Sequence, residues 1–190
     1  MEAELNFLIH ALKEWAIAVS ALQQGKTIML LRKGGIREGK QFQVEHHKVW
    51  LYPTYEHQKP QLLKPEYKDR VTEVISGWHP ATIHIQSCGE ITHTLTVDSL
   101  KKLQQLEPYH VWNRQMISDR FNWKPQKPVR ILLMKVFNLP QAITIPYHQS
   151  YGGCKSWIDL QKAILLKDLQ PAMSDRIYQQ RVTEILQLIA

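Results

Sequence analysis

Two short runs, Glu45-His46-His47 and Glu56-His57, hold the residue types that bind zinc or manganese. On a strand, Glu45 and His47 face one way and His46 the other. The turn Tyr52-Pro53-Thr54-Tyr55-Glu56-His57-Gln58 can bring the second run back onto the first. Glu45, His47, Glu56 and His57 are therefore candidate metal ligands, a set that would serve a metal-dependent phosphodiesterase or related hydrolase. No His-Glu-x-x-His spacing occurs, and with nine histidines neighbours arise by chance. Partly exposed polar residues are the plainer reading. Residues 109–135 suggest other chemistry, with six cations against the single acid Asp119 and with Tyr109, Trp112, Phe121 and Trp123 interleaved. Clustered cations suit phosphates, and single-stranded bases stack on aromatic faces. The candidate nucleic-acid contacts are Arg114, Arg120, Trp123, Lys124, Lys127 and Arg130. The alternative is a solvated basic loop beside Trp112 and Phe121 in the core.

A third segment, Arg32-Lys33-Gly34-Gly35-Ile36-Arg37-Glu38, places cations beside glycines that let backbone N–H groups approach an anion. Arg32, Lys33 and Arg37 are candidate anion contacts. A P-loop is excluded because no Gly-Lys-Ser/Thr follows at its spacing, and a Nudix reading lacks its paired downstream glutamates. A tight turn leaving a strand explains both glycines equally well. Glu38-Gly39-Lys40 and Glu66-Tyr67-Lys68 match the acid-x-Lys element of restriction-type nucleases, a pattern common by chance. Cys154 follows Gly152-Gly153 and precedes Lys155, a setting that could acidify a thiol. A buried structural cysteine is the favoured reading. His93 is expected to be a hydrogen-bonded core histidine.

These residues must be positioned by a mixed set of elements. The spacing of Leu5, Leu8, Ile9, Leu12, Trp15, Ala16, Val19 and Leu22 predicts an amphipathic helix over residues 3–24, stopped by Gly25. Strands are expected over 26–33 and 42–51, and a helix from Pro65 to about residue 75. Residues 81–86 and 91–97 read as a hairpin around Cys88-Gly89, with clean alternation in the second arm. Short helices are expected over 99–106 and 109–121, and a strong strand over 129–138. Residues 139–156 read as mostly loop. Ser156-Trp157-Ile158-Asp159 fits either a capping box or a strand start. A short strand over 164–166 and a final helix after Pro171 and Ser174, with Tyr178, Val182, Ile185 and Ile189 on its buried stripe, complete the chain. The expected fold is α+β: a central mixed or antiparallel sheet, possible as a partly closed small barrel, packed by N- and C-terminal helices. Residues 1–190 are expected to form a single domain.

Composition narrows the class. The chain has 190 residues, 44% of them hydrophobic and 22% charged, and a formal net charge of +7. This excludes the disordered class and is compatible with an anionic partner. The two cysteines are 66 positions apart, which argues against a disulfide scaffold or zinc ribbon. The start is acidic, unlike a secretory leader, and no apolar run approaches the ~20 residues that span a bilayer. A cytoplasmic protein without membrane contact and without a tightly bound organic cofactor is expected. Its partner would be nucleic acid; a protein–protein adaptor is the remaining alternative.

Four stretches carry a resemblance: Ala11-Leu12-Lys13-Glu14-Trp15-Ala16, Leu31-Arg32-Lys33-Gly34-Gly35-Ile36, Leu51-Tyr52-Pro53-Thr54-Tyr55-Glu56-His57-Gln58 and Tyr151-Gly152-Gly153-Cys154-Lys155-Ser156-Trp157. In that order they resemble the bacterial family called domain of unknown function 1802, best represented in cyanobacteria. The likeness runs from about residue 5 to 190 and implies one unit. It implies no activity and no site residue. The stretch 129–139 with its following glycine loop also looks like the small RNA-binding β-barrels of the pseudouridine-synthase-and-archaeosine-transglycosylase type, an analogy of fold alone.

Overall fold

The computed structural model describes residues 6–33 and 43–190. The described residues open not with the expected helix but with strand β1, Phe7–Trp15, and of the span 6–24 only Ala16–Gln23 form a helix, α1. The reason is burial on both faces. β1 lies between β3 (Lys48–Thr54), to which it pairs parallel, and β6 (Trp157–Leu165), to which it pairs antiparallel. A strand covered on both faces is apolar at successive positions, such as Ala11 and Leu12, so its pattern mimics a helix. The change to helix comes at Trp15, whose side chain supplies no cap; Gln58 Oε1 accepts the Ile17 N–H from 3.0 Å instead. Gly25 ends the helix with φ +64°, as its sequence position suggests.

The sheet has seven strands in the order β2-β5-β4-β3-β1-β6, with β7 (Gln170–Pro171) pairing to β5. β2 is Met29–Arg32, β4 is Thr82–Val97 and β5 is Val129–Pro146. Only β1–β3 is parallel among these pairings. The expected α+β class and mixed sheet are present. The barrel option is corrected, because β2 and β6 lie at opposite ends of the strand order and the sheet does not close.

The hairpin expected around Cys88-Gly89 is instead one continuous 16-residue strand with register shifts at Ile85/Ser87 and Ile91/His93. Gly89 is there for close packing, not for a turn: a Cβ at that position would lie 2.4 Å from Met134 Cε. β5 likewise runs on through residues expected as loop. The helices are shorter than expected: α2 is Pro65–Lys68, α3 Leu100–Gln105 and α4 Arg114–Asn122. α5, Asp175–Ile189, buries Tyr178, Val182 and Ile185, and Ser174 Oγ accepts the Ile177 N–H at its start. Among the described residues no helix is long and apolar enough to cross a membrane.

Each face of the sheet has its own core. The larger holds Leu12, Leu22, Leu30, Leu51, Leu132, Trp112 and the inner face of α5. The smaller gathers Trp50, Tyr52, Ile85, Cys88 and Tyr151, with Trp50 Nε1 donating to Leu8 O at 2.9 Å. Cys88 is the buried cysteine, its thiol pushed up to about 11 by burial, whereas Cys154 is exposed. His93 is half-buried beside Thr92, its Nδ1 2.8 Å from the hydroxyl.

His110 is sealed in the larger core's border, 5.9 Å from the Trp112 ring. Burial first, and Lys64 second, depress its pKa from 6.5 to about 4. The folded state therefore holds this ring neutral where the unfolded chain protonates it. The stability it contributes is complete above pH 6.5 and is lost as pH falls toward 4. Urea unfolding between pH 7 and 4 should show up to about 1.4 kcal/mol lost per pH unit from this group. A folded His110→Leu variant should lack that component; an unchanged pH slope would refute the assignment.

A candidate anion-binding cleft

A cleft of about 800 Å³ opens where β1, β2 and β3 end. β1 contributes Lys13, Glu14 and Trp15, and β3 contributes Thr54 and then Glu56 and His57. Because the two strands are parallel, Glu14 stands beside Pro53 and Trp15 beside Thr54 at the same edge. β2 delivers Arg32 and Lys33, α4 adds Asp119 and Arg120 with Trp123 just beyond its end, and the turn 153–156 closes one side.

Short-range bonds fix these groups. Glu14 is buried; Oε1 accepts the Trp15 N–H at 2.8 Å and Oε2 lies 3.1 Å from Arg32 Nη2. The same Arg32 nitrogen donates to Lys13 O at 2.5 Å. Lys33 is buried, donates to Phe121 O and stands over the Phe121 ring. It thus ties the end of β2 to the last turn of α4, where exposed carbonyls favour a cation. Lys13 Nζ donates to Tyr151 O at 2.6 Å and Gly153 O at 2.9 Å. Glu56 Oε1 accepts the Gly77 N–H at 2.6 Å and the Ser76 hydroxyl at 3.1 Å. His57 beside it has φ +66°, a conformation uncommon for a non-glycine residue.

The electrostatics follow. Burial lowers the pKa of Lys13, against the pull of Cys154 and Glu56. Burial lowers that of Lys33, and Arg120 adds to the effect. Burial also lowers that of Arg120, with Glu14 opposing and Arg32 reinforcing the shift. The Gly77 N–H bond is the main cause holding Glu56 below the usual carboxylate value. Three like charges, on Arg32, Lys33 and Arg120, thus sense one another in a partly desolvated cleft. Their charges set up a positive potential in the cleft.

Residues proposed from sequence for three separate chemistries meet here: Arg120 and Trp123, Arg32 and Lys33, Glu56 and His57. Lys124 Nζ lies 4.4 Å from the Trp123 ring centroid. Other candidates are placed elsewhere. Arg114 Nε pairs with Glu107 at 2.7 Å, and Arg130 Nη1 donates to Thr96 Oγ1 at 2.9 Å. Lys127 N–H closes a turn on Lys124 O. Glu45 lines a second, smaller pocket, and His47 Nδ1 is 3.4 Å from Ile91 O. Arg37 and the Glu38-Gly39-Lys40 element lie outside the described residues. Lys13 and Glu14 were not singled out from sequence as site residues, and Lys155 only as the neighbour of Cys154. Yet each of the four stretches that carry the family resemblance supplies lining residues to this cleft.

No curated protein matches the chain. Among solved structures, ASCH from Zymomonas mobilis is similar at a TM-score of 0.45 and 11% identity, covering 92% of this chain and 93% of that one. A point variant of ZmASCH gives a TM-score of 0.44 at 11% identity over 93% and 94%. Residues 11–184 match the family described as Domain of unknown function (DUF1802), and the chain, most of whose length that match covers, belongs to it.

Proposed function

We propose that this chain binds single-stranded nucleic acid, seating a phosphate between Lys33 and Arg120 and stacking a base on Trp123. The observation that carries this reading is Arg120. Its guanidinium lines the cleft, is drawn out of water, and among the described residues makes no salt bridge or hydrogen bond. A half-buried charge flanked by like charges is partly desolvated without compensation until an anion arrives. Trp123 beside it is exposed, 40% of its surface being open, and Lys124 Nζ stands over its ring, so a base that stacks on that face takes the place of the ammonium. A cleft of this form takes one strand with its bases splayed, whereas a duplex hides them.

Fluorescence anisotropy with labelled single-stranded RNA, single-stranded DNA and duplex RNA, at low and physiological salt, tests the reading. Single strands should bind more tightly than duplex and retain binding at physiological salt. Arg120→Gln and Trp123→Ala should each weaken binding; loss of one stacking contact is worth about 1–3 kcal/mol, roughly 5- to 150-fold. Arg114→Gln, outside the cleft, should bind normally. Wild-type affinity in folded Arg120→Gln and Trp123→Ala variants would sink the proposal, as would a preference for duplex.

The Glu14–Arg32 pair gives a second expectation with two opposite signs. Both side chains are mostly buried, at 8% and 14% exposure. Glu14→Gln removes the buried carboxylate paired with Arg32, and breaking a buried pair costs on the order of 3–5 kcal/mol. Chemical denaturation should show that loss, while the same titration shows tighter single-strand binding. Weaker binding by the folded variant would contradict the electrostatic account.

A further inference from the structure

We infer that His10, His46 and Asp159 form a site for one divalent transition-metal ion of the zinc class. Each offers a ligand atom, and these atoms all lie within 4.8 Å of one another; among the described residues no other trio of His, Cys, Asp or Glu does this. Three different segments supply them. β1 and β6 are paired so that His10 and Asp159 are direct cross-strand partners, with His10 Nδ1 2.7 Å from Asp159 Oδ1. His46 comes from the segment leading into β3, and its ring stacks on that of His10 at 3.5 Å between centroids and 6° between planes. The edge of Trp157 stands against His46, and its indole N–H donates to Gln43 O at 3.1 Å, holding that segment over β6.

The donor set decides the ion. Two imidazoles and one carboxylate are borderline ligands that suit zinc and its neighbours, whereas calcium and magnesium prefer oxygen alone. Three protein ligands leave a fourth position for water or another donor, and Glu45 lines the same pocket. His10 Nδ1 and Asp159 Oδ1 face each other at 2.7 Å, so an ion held by both takes the place of their hydrogen bond. A tetrahedral ion with bonds of ~2.0–2.1 Å separates neighbouring donors by roughly 3.3–3.4 Å. The 2.7 Å pair opens slightly, and the stacked imidazoles rotate so that both lone pairs reach the ion. The site is distinct from Glu45, His47, Glu56 and His57 taken together, since His47 points its ring nitrogen at a backbone carbonyl and Glu56 and His57 line the large cleft.

The test uses the full chain without a histidine tag, stripped with chelator and titrated with Zn²⁺ by calorimetry and with Co²⁺ by visible absorption. One ion per chain should bind, with the intense bands of tetrahedral Co²⁺ and a rise in Tm. His46→Gln, His10→Ala and Asp159→Asn should each weaken Zn²⁺ binding by at least about tenfold, and His57→Ala should bind as wild type. His46→Gln lies at a half-buried position and keeps the fold testable should His10→Ala unfold. The inference is overturned if no saturable binding occurs, if folded His46→Gln and Asp159→Asn bind normally, or if His57→Ala is the variant that loses the ion.

Discussion

The parallel pairing of β1 with β3 sets the position of the cleft. Parallel neighbours end at the same edge of a sheet, and the chain must cross over to join them. Here Lys13, Glu14 and Trp15 therefore come to rest beside Tyr52, Pro53 and Thr54. The two chains then leave over one edge, the first as α1 and the second as the turn carrying Glu56 and His57. Their exits are tied together: Thr54 Oγ1 donates to Glu14 O at 3.0 Å, and Gln58 caps the start of α1. On its other side β1 meets β6, which puts Asp159 opposite His10. Had β1 paired antiparallel to β3, Lys13 and Glu56 would emerge at opposite ends of the sheet and the cleft would not exist.

The way the cleft satisfies its cations matters as much as their number. Lys13 is held by two backbone carbonyls, Lys33 by one, and Arg32 by one carbonyl in addition to Glu14. A carbonyl fills a donor's hydrogen-bonding capacity without cancelling its charge. The side chains are thus fixed while the positive potential stays available to a ligand. Surface lysines paired with carboxylates would be satisfied and neutralised together. Glu14 is the exception that keeps the arrangement tolerable: a single buried carboxylate beside Arg32, short of the charge needed to balance Arg32, Lys33 and Arg120.

Much of the fold was legible where one face of an element is wet. The last helix, with its Ser174 cap and buried Tyr178, Val182 and Ile185, has the plain amphipathic signature. The second half of β4 alternates cleanly for the same reason. The first strand was illegible because burial on both faces erases alternation, and its Leu8, Leu12 and Trp15 fall at helical spacing by coincidence. Gly89 misled because close packing against Met134 and a turn leave the same residue type in the sequence. The cleft was legible in pieces. Arg32, Lys33, Arg120 and Trp123 announce themselves by charge and aromatic neighbours, but nothing local shows that they converge. Lys13 and Glu14 are lost once β1 is taken for a helix, since they then fall on a solvated face. His10 and Asp159 are separated by 149 positions, and only strand pairing brings them together.

The cleft and the metal trio are not independent of each other. His10 and Lys13 lie three residues apart on β1, on the order of 10 Å along the strand and on opposite faces. Lys155 lines both pockets, which makes it the physical neighbour common to the two. A divalent ion bound as proposed on His10, His46 and Asp159 would add positive charge in the pocket that Lys155 also lines, where the exposure of Lys155 and Asp159 leaves the interaction open to screening by salt. It also pins residues 43–47 to β1 and β6, and so steadies the strand whose end carries Lys13 and Glu14. With both sites filled as proposed, both effects would favour an anion in the cleft. By linkage the anion must favour the ion to the same degree. A shared dependence of the two proposed ligands on each other would thus follow from one strand, β1, that carries His10 at its middle and Lys13 and Glu14 toward its end.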